Sequence, residues 1–350
     1  MLFLFKKTME QTFTPVSKIG RPALLKILQN VKGYNHPSLK IENGDDAISL
    51  SSKDDHLVLL STDTFVEGAD FDPSYTPFSH FGFKMVSASI SDILAMNGYP
   101  TAIMINLAIP NRVSVEMIEE LYKGINQACL QYGVAIAGGD ITGNHQNAVF
   151  SVSVIGEVLH NKVVKRDGAS QGDAICVTGD LGAAIAGLRI LMHEKSFWEK
   201  HGDQSAQPDL GDYKFVVERQ LMPKARIDVI RCFKENEIIP SSMVDITKGL
   251  IEEVTQLCIS SNLGAHLYQA AIPISLEARQ VADEMQEDVD KYALYGGEDL
   301  EMVFTLPEDK VDQLVKIFND FSVIGRMTPK DDGLIVQTAE GDLISFDEMS

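Results

Sequence analysis

Four times this chain sets an aspartate beside glycine or a small hydroxyl residue, and a fifth time two residues before a threonine, each time at the end of an apolar run or on a helix rich in small residues. The segments are Gly44-Asp45-Asp46, Ser61-Thr62-Asp63-Thr64, Ser91-Asp92, Gly138-Gly139-Asp140 and Val244-Asp245-Ile246-Thr247. One such aspartate alone reads as a turn residue or helix cap. Five at strand and helix ends imply carboxylates that converge on one site. Gathered carboxylates repel: at about 4 Å two unit charges cost about 1 kcal/mol in water and roughly 4 kcal/mol at an effective dielectric of 20. A fold that collects them needs cations, and oxygen-only ligands without His or Cys suit Mg²⁺ better than zinc.

The net charge of −20, from 50 acidic and 30 basic residues, repels nucleic acids and anionic membranes. An anionic ligand must then be met locally, by metal ions, helix N-termini and a few Arg or Lys. The acidic excess is equally compatible with solubility alone. At 350 residues two domains are expected, and 45% hydrophobic with 23% charged residues describes a globular protein. Cys129, Cys176, Cys232 and Cys258 are widely spaced in apolar contexts and read as buried free thiols of a cytoplasmic protein. Met1–Phe5 is apolar but too short for a signal segment, and Lys6-Lys7 follow on the wrong side. No apolar run has the length of a membrane span.

The first half alternates strands and helices. His56–Leu60 is a short apolar run, and Phe81–Asn97 reads as a helix with Phe83, Val86, Ile90 and Leu94 three or four apart. Ala102–Ala108 is a strand, and Val115–Gln131 an amphipathic helix that Gly133 stops. Val134–Ala137 is expected as a short buried strand running into Gly138-Gly139-Asp140, and Ala148–Val158 as a half-buried strand. The polar, turn-rich 159–173 segment sets a boundary between domains 1–158 and 159–350. Ala174–Thr178, a Gly179–Gly182 turn and a helix from Ala183 follow, but with neither GxGxxG nor GxxxxGK[ST]. Glu194–Pro223, holding Trp198, reads as a surface loop. Thr247 is expected to N-cap a helix through Cys258, and Leu300–Leu306 to form a strand.

Several segments together resemble the thiamine-monophosphate kinase family, within the ATP-binding superfamily of aminoimidazole ribonucleotide synthetase. They are Gly44–Ala47, Ser61–Gly68, Ser91–Met96, Ala137–Thr142, Arg166–Ala169 followed by Gly172-Asp173, Val244–Thr247 and Ala293–Asp299, in family order. The resemblance implies a two-domain α/β (α+β) fold: an N-terminal mixed sheet with helices that pairs in a homodimer, and a C-terminal α/β sandwich. It implies several Mg²⁺ ions held by Asp45, Asp63, Asp92, Asp140 and Asp245, with Ser61 and Thr62 adding oxygens. It implies nucleotide contacts at Gly139, Asp140, Arg166 and Thr247, and a substrate contact at Glu298. The activity implied is in-line transfer of the γ-phosphoryl of ATP to thiamine monophosphate, with Asp63, Asp92 and Asp245 at the transfer centre. A phosphate nucleophile is already deprotonated at neutral pH, so no general base is required.

Three positions depart from the family pattern. Asp-Ile-Ser-Asp-Gly-Leu becomes Asp245-Ile246-Thr247-Lys248-Gly249-Leu250, so Lys248 stands where a second metal-binding acid is usual. Lys248 either contacts a phosphate in place of the missing cation or points to solvent. The usual His of Val-Glu-Gly-Val-His-Phe is Asp70, at the substrate side, and the usual Tyr of Gly-Gly-Glu-Asp-Tyr is Leu300. A superfamily member acting on another acceptor, or a non-catalytic nucleotide- or thiamine-phosphate-binding paralogue, are the alternatives.

Overall fold

A computed structural model describes residue 23 and residues 38–41, 45–52, 55–201 and 210–345. The readings made for Met1–Lys7 and Gly44 fall outside them. Two sheets organise the chain. The first holds six strands in the order β1-β2-β3-β6-β4-β5, where β1 is Leu39–Ile41, β2 Ile48–Ser51, β3 His56–Val66, β4 Tyr99–Pro110, β5 Ala135–Asn144 and β6 Val149–Leu159. Only β4 and β5 pair in parallel, so the sheet is mixed.

Alternation gives this sheet one dry face. Leu59, Val152, Val154, Ile103 and Ile105 are all buried in one core cluster. Their neighbours Thr62, Thr64, Met104 and Asn106 are exposed on the other face. On the dry face lie α1 (Phe78–Ala95) and α2 (Val115–Tyr132), whose buried residues join the same cluster. The two helices touch through glycine: a Cβ on Gly82 would stand 2.1 Å from Leu121 O, and one on Gly124 1.7 Å from Ser79 O. Ser114 caps α2 through the Met117 N–H at 3.3 Å, and Gly133 ends it at φ 72° as expected.

The second sheet runs β13-β12-β9-β11-β7-β10-β8, from β7 Ala174–Thr178, β8 Ser242–Asp245, β9 Gly264–Tyr268, β10 Met302–Leu306, β11 Phe321–Thr328, β12 Leu334–Gln337 and β13 Leu343–Ser345. Both faces are covered. Cys176, Met243 and Phe304 point into the same cluster as α1, whereas Ile175, Val177, Val244 and Val303 pack in a second cluster with α6 (Leu250–Ser261). Helix α3 (Ala183–His201) packs with α4 (Lys214–Leu221) and α7 (Leu276–Met285) in a third; α5 spans Ile227–Glu235, α8 Val289–Tyr295 and α9 Glu308–Leu314. The mixed N-terminal sheet with helices and the C-terminal α/β layers are thus the α+β arrangement expected. No described helix is long and apolar enough to cross a membrane.

Several expectations need correction. The described parts of the 194–223 stretch, 194–201 and 210–223, are largely helical, because α3 continues through Trp198 and α4 packs back on it; a Cβ on Gly187 would stand 2.0 Å from Val216 O. β5 is exposed along its length rather than buried, since it is the sheet edge, and it includes Gly138-Gly139-Asp140. Helix α6 begins at Leu250 after Gly249 at φ 115°, with no side-chain cap, so Thr247 is not its N-cap. β10 begins at Met302, because Leu300 sits at φ 54° and cannot extend a strand. Cys232 is half-buried; the other three cysteines are buried and all four are free.

Candidate functional site

The carboxylate centre forms where the two sheets meet across α1. Asp46 precedes β2, Asp92 lies near the end of α1, and Asp245 ends β8. One carboxylate oxygen from each comes within 4.8 Å of the others. Asp46 and Asp92 are partly buried and Asp245 is 2% exposed. Burial raises all three carboxyls above the usual range of Asp, and their mutual repulsion adds to it. Asp63 acts on this group through its charge, raising both Asp92 and Asp245. The period of two explains its aim: Asp63 is in register with Val152, and Val152 with Ile105, all on the helix-bearing face.

Two groups complete the surroundings. Arg166, in the segment between the sheets, donates to both oxygens of Asp46, at 3.2 Å from Nε and in a shorter bond from Nη2. Glu253, on the first turn of α6, is 4% exposed, and burial together with the Asp46 charge pushes its carboxyl up to about 7. Its Oε1 accepts from the Lys248 backbone N–H at 3.2 Å and the Thr247 hydroxyl at 3.4 Å. Among the described residues the centre therefore gathers acids against one guanidinium, and Asp245 Oδ2 is buried with no hydrogen-bond partner there. At these separations each unscreened pair costs roughly 3–4 kcal/mol at an effective dielectric of 20. A buried, oxygen-only, charge-deficient centre fits a hard divalent cation such as Mg²⁺.

The expected residues divide. Asp63, Asp92 and Asp245 converge, whereas the acid of the Asp45-Asp46 pair that enters the centre is Asp46. Asp45 instead accepts from the backbone N–H groups of Asp46 at 3.1 Å and Arg166 at 3.4 Å. Ser61 shares Asp63's face and donates to Ser89 O at 3.4 Å. Thr62 lies on the opposite face, bonded to Ser153 Oγ at 3.0 Å. Asp140 is in register with exposed Asn106 on that same outer face, in the edge strand. Three ladder steps separate β5 from β3, about 14 Å at the usual strand spacing, so Thr62, Gly139 and Asp140 do not join the centre. Arg166, expected at a nucleotide, is engaged by Asp46.

Lys248 is exposed beside Glu253. Asp70 closes an exposed turn by accepting from Val66 N–H at 2.7 Å. Glu298, at φ 68°, pairs with Lys84 at 2.8 Å and accepts from Gln220 Nε2 at 3.1 Å. Asp46, Glu253 and Lys84 escaped the sequence reading. Two of them carried a signal: Glu253 lies on the Leu250–Val254–Leu257 stripe of α6, and Lys84, the one Lys or Arg of α1, stands between apolar Phe83 and Met85.

Comparison with known proteins follows the same lines. The family model for the AIR synthase related protein, N-terminal domain, matches residues 44–158, and that for its C-terminal domain residues 170–337. Thiamine-monophosphate kinase of Aquifex aeolicus (strain VF5) is 32% identical over 270 residues, covering 77% of this chain and 81% of that one. The Synechococcus elongatus protein of the same name is 29% identical over 322 residues, 90% of each chain. A solved structure described as AaThiL complexed with AMPPCP and TMP superposes with a TM-score of 0.80 at 27% identity, over 95% of this chain and 97% of that one.

Proposed function

The chain belongs to the thiamine-monophosphate kinase family of AIR synthase related proteins, and on that footing we propose that it transfers the γ-phosphoryl of ATP to thiamine monophosphate, giving thiamine diphosphate. The observation that carries the chemistry is the charge deficit at Asp46, Asp92 and Asp245. Carboxylates repel phosphates, so this centre serves a phosphoryl transfer only when cations stand between the two. Mg²⁺ bound there supplies neutralisation of the phosphate oxygens and of the charge that builds during transfer.

The protein's own share is positioning. Asp46, Asp92 and Asp245 would hold cations where the buried oxygens converge, and Asp63 would add a fourth carboxylate beside them. Arg166 fixes the Asp46 carboxylate through two donors, so that its oxygens are presented in one orientation. Lys248, exposed at the rim, offers an ammonium to a phosphate that approaches from solvent. Glu298 marks the acceptor end. The acceptor phosphate is already an anion at neutral pH, and no nucleophile–base pair is needed. The enzyme works as a cytoplasmic homodimer on this reading.

The test is ADP release with Mg²⁺-ATP and thiamine monophosphate, with Asp63→Ala as the inactive control. Folded wild-type protein that releases no ADP on adding this acceptor would remove the reading.

A further inference from the structure

We propose that Lys84 is a positioning residue for the acceptor end of the site, holding the Glu298 carboxylate in the orientation that receives the acceptor. This rests on the kinase reading given above.

Lys84 is 5% exposed in the middle of α1, flanked by buried Phe83 and Met85. An ammonium so placed costs several kcal/mol unless it is paired. Its partner is Glu298 Oε1 at 2.8 Å, which belongs to the other half of the molecule. The pair therefore links α1 to the segment that enters β10.

That segment is held on every side but one. Glu298 and Leu300, neither a glycine, adopt φ values of 68° and 54°, strain that persists only where neighbours enforce it. Between them Asp299 is fully buried and accepts from the Gly182 and Ala184 N–H groups at 2.8 and 3.0 Å, at the start of α3. Next in sequence, Glu301 pairs with Arg219 at 3.0 Å and with Arg226, and accepts from the Thr178 hydroxyl at 2.6 Å. The Glu298 N–H donates to Thr247 O at 3.0 Å. With the backbone fixed, what remains free is the Glu298 side chain. Lys84 takes one of its oxygens and Gln220 the other, from opposite halves of the molecule.

The Glu298 side chain is nevertheless 39% exposed. A carboxylate accepts about four hydrogen bonds, so Glu298 keeps lone pairs for a ligand while its direction is set by two protein donors. Lys84 shares a helix face with Ala88 and Asp92, at i, i+4 and i+8, about 12 Å from end to end. One face of α1 thus joins the acceptor end to the carboxylate centre. A contact made before and throughout transfer changes acceptor binding rather than the chemical step.

The experiment is steady-state ADP release by wild type, Lys84→Met, Lys84→Gln, Glu298→Gln and the Lys84→Met/Glu298→Gln double variant, each checked for cooperative melting. Lys84→Met is expected to raise KM for thiamine monophosphate at least tenfold, with kcat within threefold and KM for ATP unchanged. Lys84→Gln, which keeps a donor, should fall between, and the double variant should be no worse than Glu298→Gln alone. An unchanged acceptor KM in a folded Lys84 variant overturns the inference, as does a loss confined to kcat that adds to that of Glu298→Gln. If Lys84→Met does not fold, Lys84→Gln decides by the same criterion. Wild type that is inactive on thiamine monophosphate removes both the kinase reading and this inference; an active wild type with indifferent Lys84 variants removes the inference alone.

Discussion

Two buried groups of carboxylates lie on either side of β10, and they are built in opposite ways. Around Asp299 and Glu301 the charge is settled inside the protein: Arg219 and Arg226 pair with them, and backbone amides of α3 and the Thr178 hydroxyl take the remaining oxygens. Around Asp46, Asp92 and Asp245, among the described residues, one arginine serves three acids, and Asp245 Oδ2 has no hydrogen-bond partner. Burial alone does not separate a structural cluster from a functional one. The difference lies in the balance of charge, because a centre left short of cations is one that a ligand must complete.

The largest test of this contrast is Asp92→Asn. Turnover should fall about 10⁴-fold, roughly 5.5 kcal/mol of transition-state stabilisation, while the metal-free protein melts no lower because a repulsive charge has gone. A lower melting temperature without Mg²⁺ would break the comparison. Glu301→Gln should do the reverse. It removes the carboxylate that two buried guanidiniums share and should cost about 3–5 kcal/mol in chemical denaturation, as when one partner of a buried pair is removed. A stable Glu301→Gln protein with impaired Mg²⁺ binding would exchange the two assignments.

The smallest effect is a pH dependence. Asp46, Asp92 and Asp245 are raised by burial and mutual repulsion, and Glu253 reaches about 7. Acids raised in the folded state bind protons that the unfolded chain has released. Their contribution to stability is therefore greatest below the ordinary value near 4 and is lost as pH rises toward 7. Mg²⁺ competes with those protons. At a hundredfold excess over its dissociation constant it should add about 2.7 kcal/mol. The Mg²⁺-induced rise in melting temperature should grow from pH 6 to pH 8, and a flat profile would argue that the carboxylates are not the binding groups.

Much of this centre could be read from the chain, because Asp63, Asp92 and Asp245 sit within or at the end of elements whose apolar periods are clear. The parity of β3 separates what the motif joins: Ser61 and Asp63 share a face that Thr62 cannot. The choice between Asp45 and Asp46 was not, since both lie in one turn and only the approach of Arg166 separates them. Composition hid the last turns of α3 and all of α4, where polar surface residues obscure an interface made by Gly187 and Val216. Nor could strand order be counted from sequence. That order sends Asp140 to the outer face of an edge strand, so motifs that follow one another in the chain diverge in space.

Helix α1 imposes a constraint on change in length. Lys84 and Asp92 stand eight residues apart, a little over two turns, and that count aims the first at Glu298 while the second is aimed at Asp245. A single inserted or deleted residue between them would rotate one end by about 100° against the other. It would also lift Gly82 from its seat against α2 or Asp92 from its seat beside Asp245. Substitution along this helix can be tuned one side chain at a time. Its length cannot drift, and variants that lengthen or shorten it by one residue should be absent from any functional library while edge strand β5 tolerates far more.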